Sequence, residues 1–274
     1  MALSPHLTLY PDINNVLRAF LSDVWAILGT RFLGMYLSGS LAMGDFDESS
    51  DVDALVVTTD AIPAEVFSAL AVMHERLSAG DSRWGAELEV SYIPWYAVRR
   101  YDPANDLHPY IGRGERLRIE EHRREWDIQR HIIRERGITV AGPAPQTLID
   151  SVDPDDVRRA VLVTLREFWS WHFHDPIELH PRGYRSYLVL TGCRMLYTLK
   201  YGSVASKPVA ARWAQDTHGA RWSALIDWAL AARCDPHSGE LDNLSETQDF
   251  IRYVIECCRQ YELPTDAARG LSSG

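Results

Sequence analysis

YLSGSLAMGDFDESSDVDALVV, residues 36–57, decides how this chain folds and what it can hold. An apolar run ends in Gly39-Ser40, an acidic turn follows, and Asp51 and Asp53 stand one residue apart at the mouth of a second apolar run. Side chains two apart on a strand share a face, so the two carboxylates project together while Val52 and Ala54 face the layer beneath. Two unpaired carboxylates at that separation repel, and one pKa rises unless positive charge lies between them. Mg²⁺, an oxygen-liganded cation often held by one or two carboxylates plus substrate phosphates, supplies that charge. Gly39 and Ser40 leave their strand at a turn where backbone amides can approach an anion, because glycine has no side chain in the way. The stretch therefore reads as a turn that holds a polyphosphate above paired aspartates that hold its metal.

The flanking sequence supplies a sheet and its cover. From Asp12 to Leu28 apolar residues recur at intervals of three and four, the period of an amphipathic helix. FLGMYL and VDALVV read as buried strands on either side of the turn, and Pro63 opens a second helix, AEVFSALAVMHERLSA. ELEVSYI alternates as a third strand, with Glu87 and Glu89 on one face and Leu88, Val90 and Tyr92 on the other. Either glutamate can meet the aspartates across a neighbouring strand. The charged run 115–136 reads as one helix with a thin apolar stripe, ended by Gly137, and ITVAG as a last short strand.

GPAPQTLIDSVDPDD, residues 142–156, is rich in Pro, Gly and Asp and marks a domain junction, placed at 147/148. Beyond it the chain reads as helices over 154–172, 183–201, 207–217, 220–233 and 245–262, with Asp153 or Asp155 as a cap, Gly202 after the second and Pro208 just inside the third. The expected architecture is α+β: a mixed sheet with helices over 1–147, then an all-α bundle over 148–274.

Composition narrows the function. No stretch approaches the ~20 apolar residues of a membrane span, and the N-terminus lacks the pattern of a secretory signal, so the chain is expected to be cytoplasmic. The net charge of −10 disfavours nucleic acid as a partner and suits a cationic small molecule. The four cysteines, Cys193, Cys234, Cys257 and Cys258, lack metal-site spacing and read as reduced, mostly buried thiols. His172, His174 and His180, with Glu178, lack ordinary zinc spacing and read as a loop at a cleft rim.

The complete order of strand, Gly39-Ser40, spacer, Ser50-Asp51-Val52-Asp53 and strand resembles the signature of the nucleotidyltransferase superfamily. The resemblance implies a polymerase-beta-like sheet, attack on the α-phosphorus of a nucleoside triphosphate, release of pyrophosphate, and two Mg²⁺ ions. It narrows further with YLVLTGCRMLYTLKYGSVASKPVAARWA, residues 187–214, and with the linker, both similar to the streptomycin/spectinomycin adenylyltransferases. That family implies ATP and an aminoglycoside bound between a nucleotidyltransferase domain and a helical one. Carried over by position, Ser40 and Ser50 contact the triphosphate, Asp51, Asp53 and Glu89 hold Mg²⁺, Glu89 is also the base, and Arg194 and Lys207 reach the phosphates.

An Arg on an apolar helix independently needs an anionic partner if its head is buried. The family's tyrosine near the nucleotide has no counterpart in IDWALAARC, where Trp228 is the one aromatic. EFWSWHFHDPIELHPRGYRSY, where the family's antibiotic site is expected, has its own composition, and its Trp169, Trp171, Asp175 and Glu178 suit a polyamine sugar. The expected activity is transfer of AMP from ATP to a hydroxyl of a small cationic acceptor, aminoglycoside-like in character, by a monomer. The alternative is a nucleotidyltransferase-like antitoxin or regulatory protein with a protein partner; the helical half argues against it.

Overall fold

The computed structural model describes residues 7–165, 182–234, 243–261 and 263. The chain divides into two compact units, 1–151 and 152–274. Among the described residues no helix is long and apolar enough to cross a membrane.

The first unit is a sheet with helices against both faces. Its elements are α1 (Pro11–Leu28), β1 (Phe32–Leu37), α2 (Gly39–Met43), β2 (Val52–Thr58), α3 (Ala64–Ser78), β3 (Leu88–Pro94), α4 (Trp95–Val98), β4 (Leu107–Ile111), β5 (Arg118–Glu121), α5 (Asp127–Arg136), β6 (Ile138–Ala141) and α6 (Pro145–Leu148). The six strands lie in the order β5-β4-β3-β2-β1-β6. β2 and β3 run parallel and the other neighbours antiparallel, which makes the sheet mixed.

The period-two pattern of β2 sorts its side chains. Val52, Ala54 and Val56 join Leu88, Val90 and Tyr92 of β3 in a core completed by Ile13, Leu17, Phe20 and Val24 of α1 and Leu70 and Met73 of α3. Leu55 and Val57 enter the second core on the opposite face, with Ile93, Ala97, Val98 and Ile133. Asp53 shares the face of Leu55, and Glu89 that of Ile93. Each strand of this pair thus begins with a carboxylate and continues, on the same face, into core.

The run 115–136 is not one helix. Its first part is the edge strand β5, paired with β4 in the register Tyr110↔Arg118, Pro109↔Ile119, His108↔Glu120 and Leu107↔Glu121, and only Asp127–Arg136 is α-helical. Within Arg118-Ile119-Glu120 the charges two residues apart form an ion pair of 2.8 Å, Arg118 Nε to Glu120, along one face of a strand. Helical charge patterning and strand charge patterning look alike over so few residues, and pairing to β4 settled the choice. β4 escaped notice because His108 and Pro109 interrupt its pattern. Pro109 is tolerated because β4 pairs with β3 only at Val90↔Ile111 and Ser91↔Tyr110.

The second unit, as far as it is described, is helical: α7 (Pro154–Thr164), α8 (Arg182–Tyr201), α9 (Lys207–His218), α10 (Ser223–Cys234) and α11 (Leu244–Arg259). α7 starts with Asp153, whose carboxylate accepts the Asp155 N–H at 2.8 Å, while α9 starts with Ser206, whose hydroxyl accepts the Val209 N–H. Leu188, Leu190, Leu196, Ala210, Ile226, Phe250 and Val254 are buried in this unit. Cys193 and Cys258 are buried thiols and Cys257 is half-buried, all three free of disulfides. The first expected helix is seen as Pro154–Thr164 with Leu165 as its cap, and residues 166–172 lie outside the described residues.

Candidate active site

The parallel register of β2 and β3 sets Asp53 directly beside Glu89. Two backbone hydrogen bonds pin the entry to this pair: Val52 N–H donates to Glu87 C=O at 2.9 Å, and Ser38 N–H donates to Asp53 C=O at 3.0 Å. Asp51 stands one residue ahead of β2. Asp51, Asp53 and Glu89, all half-buried, each bring one carboxylate oxygen within 4.8 Å of the others. Of the paired glutamates, Glu89 joins the aspartates, whereas Glu87 is held by Arg113 in an ion pair with a second contact of 3.0 Å.

Gly39 is not interchangeable here. Its φ of +55° lies in the left-handed region, and a Cβ at this position would sit 1.7 Å from Asp53 Oδ2. The backbone at residue 39 therefore lies against the Asp53 carboxylate, at a separation that only glycine permits. The spacer read as a turn begins with the short helix α2, which ends at Gly44, φ +79°. Ser40 sits in its first turn with its hydroxyl oxygen buried and without a hydrogen-bond partner.

Ser50 is differently engaged. It is buried, and its hydroxyl donates to Asp47 Oδ1 at 3.0 Å while accepting the Asp47 N–H at 3.0 Å. The Ser49 N–H and hydroxyl also donate to Asp47 Oδ1, at 3.0 and 2.7 Å. These bonds shape the acidic segment that delivers Asp51.

The electrostatics suit a cation. Burial pushes the Glu89 carboxyl above the usual carboxylate range, and the charges of Asp51 and Glu115 push the same way, opposed by a hydrogen bond from Tyr110 and by Arg118. A divalent ion between three such carboxylates removes both penalties, and its charge would be shared with a phosphate at Gly39-Ser40, where the Ser40 hydroxyl awaits a partner. The residues present fit Mg²⁺. Sequence reading overlooked Tyr110 because β4 itself was not legible.

In the helical unit Arg194 lies midway along α8, half-buried, with its Nε buried and lacking a hydrogen-bond partner. Lys207 is the first residue of α9, its Nζ 5.5 Å from the centre of the Tyr187 ring. Trp228 is buried in α10, its indole Nε1 without a hydrogen-bond partner and its ring 5.9 Å from the Arg185 guanidinium carbon. Trp169, Trp171, Asp175 and Glu178, with His172, His174 and His180, lie outside the described residues.

A mixed sheet that sets Gly-Ser at the end of one strand and three convergent carboxylates at the starts of the next two defines a nucleotidyltransferase. Within that class the chain resembles the aminoglycoside adenylyltransferases: residues 147–257 match the family described as aminoglycoside adenylyltransferase, C-terminal domain. The chain is 28% identical over 246 residues to a spectinomycin 9-adenylyltransferase of Staphylococcus aureus, covering 83% of this chain and 88% of that protein. It is 29% identical over 246 residues to an aminoglycoside (3'') (9) adenylyltransferase of Klebsiella pneumoniae, covering 83% and 87%. Its fold matches the crystal structure of spectinomycin adenyltransferase AAD(9) from Enterococcus faecialis with ATP and spectinomycin. The TM-score is 0.73 at 16% identity, over 90% of this chain and 99% of the solved chain.

Proposed function

We propose that this protein is an aminoglycoside O-adenylyltransferase, which transfers AMP from ATP to a hydroxyl of an aminoglycoside and releases pyrophosphate. The observation that carries the reading is the convergence of Asp51, Asp53 and Glu89 beside the Gly39 backbone. The resemblance to the spectinomycin and aminoglycoside adenylyltransferases supports the acceptor class.

Asp51, Asp53 and Glu89 would hold Mg²⁺, two ions in the full complex, which when bound neutralises phosphate charge and favours the departure of pyrophosphate. The Gly39 backbone lets the triphosphate approach, and the Ser40 hydroxyl donates to one of its oxygens. Ser50 acts on the triphosphate through the segment that it and Asp47 shape. Glu89 takes the proton from the acceptor hydroxyl as the acceptor oxygen bonds to the α-phosphorus and the bond to pyrophosphate breaks. Arg194 and Lys207 are given to the ATP phosphates on the sequence resemblance, and Trp169, Trp171, Asp175 and Glu178 to the acceptor because acidic and aromatic groups suit a polyamine sugar. The enzyme is read as a cytoplasmic monomer without a nucleic-acid partner.

The test is incubation with ATP, Mg²⁺ and a panel of aminoglycosides that includes spectinomycin and streptomycin, read by mass spectrometry. An acceptor gaining the mass of AMP, with pyrophosphate released in equal amount, is the expected result. Asp53→Asn should weaken Mg²⁺-dependent ATP binding and abolish the adduct. A panel without any adduct, or an Asp53→Asn variant with unaltered metal dependence, would overturn the reading.

A further inference from the structure

Glu89 is gripped from the next strand. In the antiparallel β3–β4 pair, Ser91 faces Tyr110 and Val90 faces Ile111, so the register sets Gly112 opposite Glu89. Glu89 and Ser91 share a face, and Tyr110 lies diagonally across from Glu89 on that same face. The Tyr110 phenol therefore stands on the Glu89 side of the sheet, and each group weighs on the other's electrostatics.

Gly112 makes the room. A Cβ there would stand 2.7 Å from Glu115 Oε2 and 3.3 Å from the Tyr110 hydroxyl, so the space opposite Glu89 is filled by these two polar groups. The Tyr110 ring is held in turn: the Arg118 guanidinium carbon lies 5.0 Å from its centre, and Arg118 is anchored to Glu115 and Glu120. Arg118 faces Tyr110 in the β4–β5 register. A line of side chains on one face therefore runs from the edge strand through Tyr110 toward Glu89.

We propose that Tyr110 is a positioning residue for Glu89, its hydroxyl donating to the carboxylate so that one rotamer of Glu89 meets Asp51 and Asp53. The proposal rests on reading those three carboxylates as the catalytic cluster. A glutamate has three side-chain torsions, and without a partner its head group samples positions outside hydrogen-bond reach of the cluster. Tyr110 itself does no chemistry: its proton is held more tightly than in a free phenol, chiefly by burial and then by the charge of Glu89.

The experiment is a double-mutant cycle of Tyr110→Phe and Glu89→Ala, with kcat and KM for ATP and acceptor measured for all four proteins. Removing a hydrogen bond to a charged group should lower kcat of the Tyr110→Phe enzyme by about ten- to a hundredfold. Its KM for ATP should stay within about twofold. In the Glu89→Ala background the same substitution should change kcat by less than about threefold, because the residue through which it acts is gone. Any loss of folded protein caused by Tyr110→Phe is common to both backgrounds and cancels in the comparison.

A second readout needs no turnover: calorimetric titration of Mn²⁺ into nucleotide-free protein should show about tenfold weaker binding or more in Tyr110→Phe. Equal loss of kcat in both backgrounds, or unaltered kcat and Mn²⁺ affinity, would overturn the proposal. If Glu89→Ala is impaired and Tyr110→Phe is not, only the positioning role fails. Full activity in Glu89→Ala means that the catalytic reading has failed with it.

Discussion

Single residues divide sharply between those that local sequence specifies and those whose partners arrive from elsewhere. Gly39 is legible on its own, since a glycine after an apolar run announces a backbone that something must approach, and a Cβ would overlap Asp53. Glu89 is not legible apart from Glu87, since both share a strand face; Arg113, brought round by the β4–β5 side of the sheet, takes Glu87. That division leaves Glu89 as the proposed base. Glu89→Gln should retain ATP binding while lowering transfer by about two to four decades, the range for loss of a general base. Initial rates of adduct formation beside an equilibrium ATP-binding titration measure both quantities, and undiminished transfer would remove Glu89 from the chemistry.

Among the elements, strands β4 and β5 carry a polar interior that their sequences do not announce. His108 and His122 are buried with ring centres 5.3 Å apart, and His122 Nε2 lies 2.9 Å from Ser91 Oγ. Arg130, also buried, lies among the same groups and donates to Ala97 C=O, Val98 C=O and Asp127. Burial first, then the neighbouring positive charges, lowers both imidazoles from 6.5 to about 4. His74, buried on α3 against the Tyr92 hydroxyl at 2.7 Å, is lowered to about 4 by burial alone.

A group whose folded pKa is depressed stabilises the fold above its unfolded pKa, and that stability is lost as pH falls toward the folded value. The fall should therefore run from pH 6.5 down to about 4, the window these shifts define. Its size is of the order of 3 kcal/mol per histidine at the acid limit. Denaturant midpoints between pH 8 and 4 would display the loss as a steep decline below about 6.5. A flat profile would mean that the three imidazoles are not buried in their neutral form.

On the scale of the whole molecule, the net charge of −10 sets the long-range field. A polycationic acceptor is drawn toward such a protein, and added salt screens the attraction over a Debye length of about 10 Å at 0.1 M. Raising the salt concentration should therefore lower kcat/KM for the acceptor by several-fold while affecting kcat less. Steady-state kinetics at two salt concentrations check this, and a rise in kcat/KM with salt would show that the acceptor meets a locally positive surface instead.

The chain by itself determined the two strands that flank Gly39-Ser40 and Asp51-Asp53, the helical second half, and the helix starts marked by Asp153 or Asp155 and by Pro208. Each is written in residues that are neighbours along the chain, where helix and strand periods and φ preferences act directly. Tertiary structure alone decided that residues 118–121 are an edge strand, that Arg113 takes Glu87 and leaves Glu89 beside the aspartates, and that Tyr110 shares the face of Glu89 on the next strand. Those outcomes depend on strand register, and register is fixed by side chains distant in sequence that meet only when the whole sheet buries its two apolar faces.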